Sequence, residues 1–86
     1  MTPRLIHVTV LDALGRPVHE ARVGVVKAPV ALPDVAALSD PAGRVTLSVP
    51  APGAYDISAS ADGHGSAGAS VVVDDRAVQL TIRLPG

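Results

Sequence analysis

Three histidines, scattered aspartates, one lysine and one tyrosine are the residues of this 86-residue chain best equipped for chemistry. His7, His19 and His64 could ligate a metal or move a proton. Ligation needs donors converging at roughly 2 Å, and these three share no short spacing. They read as exposed polar side chains, with His19-Glu20 decorating a turn. Asp62-Gly63-His64-Gly65 and Asp74-Asp75 could offer oxygens to calcium, yet neither supplies the ligand series of an EF-hand loop. Turn formation accounts for both. Gly63, Gly65 and Gly68 lack the strand-to-helix setting of a phosphate-binding loop. No Ser/His/Asp arrangement assembles from local spacing. The chain has no cysteine, which excludes disulfides and thiolate chemistry. Tyr55, the largest expected core side chain, reads as a packed ring with its hydroxyl satisfied at a sheet corner. The expectation is therefore no catalytic residue, no metal and no cofactor.

Composition removes further classes. Seven basic residues stand against eight acidic ones, for a formal net charge of −1. The basic residues Arg4, Arg16, Arg22, Lys27, Arg44, Arg76 and Arg83 are spread along the chain among acidic ones, without the clustered face that nucleic acid requires. Tyr55 is the single aromatic residue, so the stacking platforms used for single strands, and by the same logic for sugars, are missing. No stretch approaches the roughly 20 apolar residues that span a bilayer. The first residues lack the apolar run of a signal peptide. The expected location is cytoplasmic for the sequence as it stands, and extracellular if it is part of a larger chain.

The elements that must position any site are strands. Apolar residues alternate with period two almost throughout. Strands are expected over Leu5–Leu11, with Ile6, Val8 and Val10 on one face, and over Ala21–Lys27, with Ala21, Val23 and Val25 inward. Others are expected at Val35–Leu38, at Arg44–Val49 with Val45, Leu47 and Val49 inward, and at Ala54–Ala61 with Tyr55, Ile57 and Ala59. Asp62–Gly68 reads as a glycine-rich loop, followed by strands Ala69–Val73 and Ala77–Leu84 around the turn Asp74-Asp75-Arg76. Gly15 and Pro17 give the first reversal a mechanism, positive φ and a fixed φ respectively. Seven short strands in 86 residues indicate one domain, an all-β, seven-stranded antiparallel β-sandwich whose two sheets bury each other's inner faces.

The order of these motifs resembles the carboxypeptidase regulatory-like family, of transthyretin-like (prealbumin), Greek-key fold. The matching residues are Asp12, Gly15, Pro17, Val18, Ala21, Val23, Val25, Ser39, Asp40, Gly43, Leu47, Pro52, Gly53, Tyr55 and Gly63, with the closing Val78-x-Leu80-x-Ile82-x-Leu84. His64 departs from a position that is usually aromatic, implying a looser core there. The resemblance implies a non-catalytic accessory or binding domain. It also implies that sheet edges can pair, giving a homo-oligomer. One enzyme shares the fold, the hydrolase of 5-hydroxyisourate, whose first strand carries a catalytic histidine before Val-Leu-Asp. Here Thr9 holds that position, with His7 two residues upstream. Arg44 is a candidate counterpart of an arginine after a turn. The final strand Val78–Leu84 has neither the histidine nor the Tyr-Arg-Gly-Ser ending. The Lys–Asn isopeptide links of related surface sandwiches are excluded, because the chain has no asparagine and only Lys27 as lysine.

One segment resists a purely structural account. Ala28–Leu38 is apolar where a connection should be polar. It either packs over the sandwich and covers an edge, or exposes Val30, Leu32 and Val35 as a protein-binding surface. Strand addition at an open sheet edge is a further binding mode. The expected role is protein–protein interaction, as an adaptor or accessory subunit; a hydrolase and a secretion-spike accessory domain are the alternatives.

Overall fold

A computed structural model describes residues 4–32 and 36–86. The seven strands are β1 (Arg4–Leu11), β2 (Arg22–Lys27), β3 (Ala36–Leu38), β4 (Arg44–Val49), β5 (Gly53–Ala61), β6 (Gly65–Val73) and β7 (Val78–Arg83). They form a three-stranded sheet in the order β4-β1-β7 and a four-stranded sheet in the order β3-β2-β5-β6. Among the described residues no helix is long and apolar enough to cross a membrane.

The alternation of the sequence becomes the burial pattern. Ile6, Val8 and Val10 from β1, Val45, Leu47 and Val49 from β4, and Ile82 from β7 face Val23, Tyr55, Ile57 and Ala59 of the other sheet, all buried. Val25 lies half-buried against this core. Tyr55 is fully buried, and its hydroxyl donates to the Ala51 carbonyl at 2.6 Å, as its position at a sheet corner suggested. Apolar burial at about 25 cal/mol per Å² drives the two inner faces together.

Two turns share one construction. In Asp12-Ala-Leu-Gly-Arg16 the Asp12 Oδ1 accepts the backbone N–H of Leu14 and of Arg16, each at 2.9 Å. In Asp40-Pro-Ala-Gly-Arg44 the Asp40 Oδ1 accepts Ala42 and Arg44, also at 2.9 Å. Each closes with a glycine at positive φ, 82° at Gly15 and 75° at Gly43, where a side chain would be strained. The carboxylate organises the loop, the glycine turns it, and the arginine begins the return.

Three features differ from the sequence reading. β1 and β7 run parallel, Ile6 opposite Val78 through Leu11 opposite Arg83, while the other pairs are antiparallel. Period-two alternation is the same for either direction, so orientation was not encoded in it. β6 begins at Gly65, so the glycine-rich loop contracts to a tight turn; Ser66, Ala67 and Gly68 pair with Ser60, Ala59 and Ser58 of β5. β3 is confined to Ala36–Leu38, and Val35 lies outside the described residues.

Candidate functional site

The chemistry-bearing residues separate onto two surfaces. On the outer face of the three-stranded sheet, His7 is opposite Thr46 on one side and Gln79 on the other, and Thr9 is opposite Arg44 and Thr81. These two rows line a shallow cavity of about 390 Å³. His7 Nδ1 and Thr46 Oγ1 share a hydrogen bond of 3.1 Å. The strands thus bring His7 and Arg44 into diagonal proximity, and neither row carries a carboxylate. Such a face can hydrogen-bond a polar or anionic group. For hydrolysis it offers one imidazole, with Thr9 and Thr81 beside it.

The second surface unites residues that sequence spacing kept apart. His19, Glu20, Arg22, Ser60, Asp62 and His64 line another cavity of about 390 Å³ at one end of the four-stranded sheet, where β2 begins and β5 finishes. Glu20 has φ 59°, the one non-glycine residue at positive φ among those described. Ser39 enforces this conformation. Its hydroxyl donates to the Val18 carbonyl at 2.6 Å and accepts the Ala21 N–H at 2.9 Å, and its carbonyl accepts the Glu20 N–H at 3.0 Å. Among the described residues Ser39 is the buried polar side chain; in the sequence it stands out only as one of the residues that match the family pattern. No group of three or more His, Asp or Glu in the described residues is placed to hold a metal ion.

His64 is engaged with Gly86. Its Nδ1 lies 3.0 Å from the Gly86 carbonyl oxygen, and the Gly86 N–H donates to the His64 carbonyl at 2.9 Å. Two residues earlier, Leu84 is fully buried and its N–H donates to Leu11 at 2.7 Å. The backbone N–H of Arg16 holds the Asp12 carboxyl below its ordinary range, helped by the Leu14 N–H and by the charges of Arg16 and His64.

The apolar segment is divided. Pro29 sits on Gly53, where an added Cβ would meet its ring at 2.8 Å, fixing the segment's start to the opposite end of the four-stranded sheet, where β2 finishes and β5 begins. Leu32 packs against the core, whereas Val30 is 42% exposed. Val26, just before it, is 68% exposed. The register of β2 on β5 shifts between Val25 and Lys27, and this bulge turns Val26 outward.

A three-stranded and a four-stranded sheet closed on one core, with β1 between an antiparallel β4 and a parallel β7, define a transthyretin-like β-sandwich. The chain belongs to the carboxypeptidase regulatory-like domain family, whose model matches residues 5–85. Among solved structures it is similar to the crystal structure of BcpA, the major pilin subunit of Bacillus cereus. That match has a TM-score of 0.71 and 22% identity, over 98% of this chain and 30% of the pilin. The chain therefore spans less than a third of that protein's length, and the likeness is one of fold. No curated protein matches the sequence.

Proposed function

We propose that this domain is a non-catalytic assembly module that docks another protein through the end of the four-stranded sheet, where Val26 and Val30 are exposed and Leu32 anchors the segment beneath them. Val35, the third residue of the expected binding surface, lies outside the described residues. The observation that carries the proposal is the contrast between Leu32 and its neighbours Val26 and Val30. Leu32 is held by the core while Val30 and the bulged Val26 are turned to solvent, an arrangement that presents apolar side chains on a fixed support. The fold match to a pilin subunit supports an assembly role, as does membership of a family whose domains are mostly accessory. The test is affinity capture with the wild-type domain and with Val30→Asp. The module reading expects a stoichiometric protein partner that the variant fails to retain at unchanged thermal stability. Equal retention by both proteins removes this surface from the account.

A second reading, a hydrolase of the 5-hydroxyisourate type, draws on the proximity of His7 and Arg44 on the outer face of the other sheet. Purified protein that leaves 5-hydroxyisourate decay unaccelerated ends it. Acceleration abolished by His7→Ala would establish it.

A further inference from the structure

We propose that the Asp62-Gly63 step in the β5–β6 turn is a modification site, at which the folded protein converts aspartate to isoaspartate through a cyclic imide. This site lies at the other end of the four-stranded sheet from the docking surface and does not depend on it.

Imide formation at an aspartate has three requirements. The carboxyl must be free to swing onto the amide nitrogen of the next residue, that N–H must not be held elsewhere, and no side chain may crowd it. The sequence narrows the choice to one position. Asp62 is the single aspartate followed by glycine, and the chain has no asparagine that could reach the same imide by losing ammonia.

The fold narrows it again. Asp12 and Asp40 each accept two backbone N–H groups at 2.9 Å, and Asp74 accepts the Arg76 N–H at 2.8 Å. Asp56 accepts the Ser70 hydroxyl at 2.6 Å, and Asp75 faces Arg4 at 3.6 Å. Asp34 lies outside the described residues. Among those described, Asp62 is the aspartate whose carboxyl enters neither a hydrogen bond nor an ion pair, and it is exposed. Gly63 belongs to no strand, and its N–H enters none of the backbone hydrogen bonds of the turns. Nothing lies within 4 Å of a Cβ built on it, so the ring has room to close. The same carboxylate chemistry that organises the Asp12 and Asp40 turns is thus left unspent at Asp62.

The step balances without a co-reactant. The Gly63 nitrogen attacks Cγ of the protonated Asp62 carboxyl; the N–Cγ bond forms, the Cγ–OH bond breaks, and the hydroxyl leaves with the amide proton as water. Water then reopens the ring. Addition at Cγ restores aspartate. Addition at the Asp62 main-chain carbonyl routes the backbone through Cβ and Cγ, lengthens it by a methylene and leaves a free α-carboxylate. That methylene enters a turn closed by the His64 N–H on the Ala61 carbonyl at 3.0 Å. His64 in turn clasps Gly86 through its Nδ1 and its carbonyl. Conversion is therefore expected to loosen the clasp and lower the Tm.

The test is incubation of the folded protein in warm, mildly acidic buffer below its unfolding transition, with isoaspartate read by enzymatic methyl-ester labelling and peptide mapping. An imide one water lighter than the chain is expected first, then label that grows with time and is confined to the peptide containing Asp62. Asp62→Glu, which would have to close a larger and slower ring, is expected to fold alike and stay unlabelled. Folded protein that takes no label, or takes it first at another aspartate, overturns the proposal. So does label that appears only when the chain is unfolded in urea. The converted fraction, separated by chromatography, is expected to melt lower and to show a displaced Gly86 amide resonance. A converted fraction that melts with its parent overturns the loosened clasp.

Discussion

Gly43 lies directly against the backbone of Val10: its carbonyl accepts the Val10 N–H at 2.7 Å, and a Cβ added to it would fall 2.6 Å from the Val10 oxygen. The β3–β4 turn is thereby locked onto the end of β1 and onto Pro17, whose Cβ would be 3.1 Å away. Gly43 at φ 75° therefore meets two prohibitions, one conformational and one steric. Gly63, at φ 80°, meets only the first, since nothing lies within 4 Å of the added atom.

Comparing these two glycines separates strain from packing. Gly63→Ala is expected to cost about 1–2 kcal/mol, the penalty of a side chain in the left-handed region. Gly43→Ala should cost clearly more, because backbone must move as well. Urea denaturation of both variants checks the ranking, and equal losses would show that the Val10–Gly43 approach is readily relaxed.

Ser39 and Glu20 form a second strained unit. Ser39→Ala leaves the Ala21 N–H without its 2.9 Å acceptor in a buried setting and is expected to cost about 1–3 kcal/mol. Glu20→Gly relieves the positive φ and is expected to stabilise by up to about 1 kcal/mol. Thermal unfolding of the two variants should move in opposite directions.

Tyr55→Phe removes only the hydroxyl that donates to Ala51, an expected loss of about 1 kcal/mol. Tyr55→Ala empties the largest fully buried side chain and is expected to cost about 3–5 kcal/mol. In a domain this small that is enough to unfold a large fraction of molecules. Circular dichroism melts distinguish the two.

Asp12 gives the domain an acid-sensitive contribution. Its carboxyl titrates below the ordinary 3.8, chiefly because the Arg16 N–H stabilises the charged form. The folded state therefore binds this proton less readily than the unfolded chain. The stabilisation is present above the unfolded value and is lost as pH falls from there through the lowered folded value. Asp12→Asn keeps an acceptor oxygen but cannot titrate, so its stability should fall less steeply over that acid range. An unchanged acid limb would show that Asp12 is not responsible.

The strand faces were legible because alternation records which side is buried: Ile6, Val8 and Val10, and Tyr55, Ile57 and Ala59, lie inward as their spacing required. The Asp-x-x-Gly turns were legible because a carboxylate and a positive-φ glycine are a local solution to a local problem. The start of β6 was not. Gly65, Ser66, Ala67 and Gly68 have little intrinsic preference for strand, and their conformation is imposed by pairing with β5. Nor was the shared cavity of His19 and His64, since those residues are distant in sequence and meet only through the order of strands in the sheet. In the candidate docking segment the apolar character was visible, but the difference between the core-packed Leu32 and the exposed Val30 depends on tertiary contact. Leu32→Asp is accordingly expected to lower stability, which makes Val30→Asp the cleaner probe of binding.

The central claim, that this sandwich is an assembly module, is tested most directly by quantitative capture of partners from the source cells, with wild type and Val30→Asp compared side by side. The account predicts a protein retained in stoichiometric amount by wild type and lost from a variant that melts at the same temperature. A wild-type domain that retains no protein, but accelerates 5-hydroxyisourate decay in a His7-dependent manner, would contradict it.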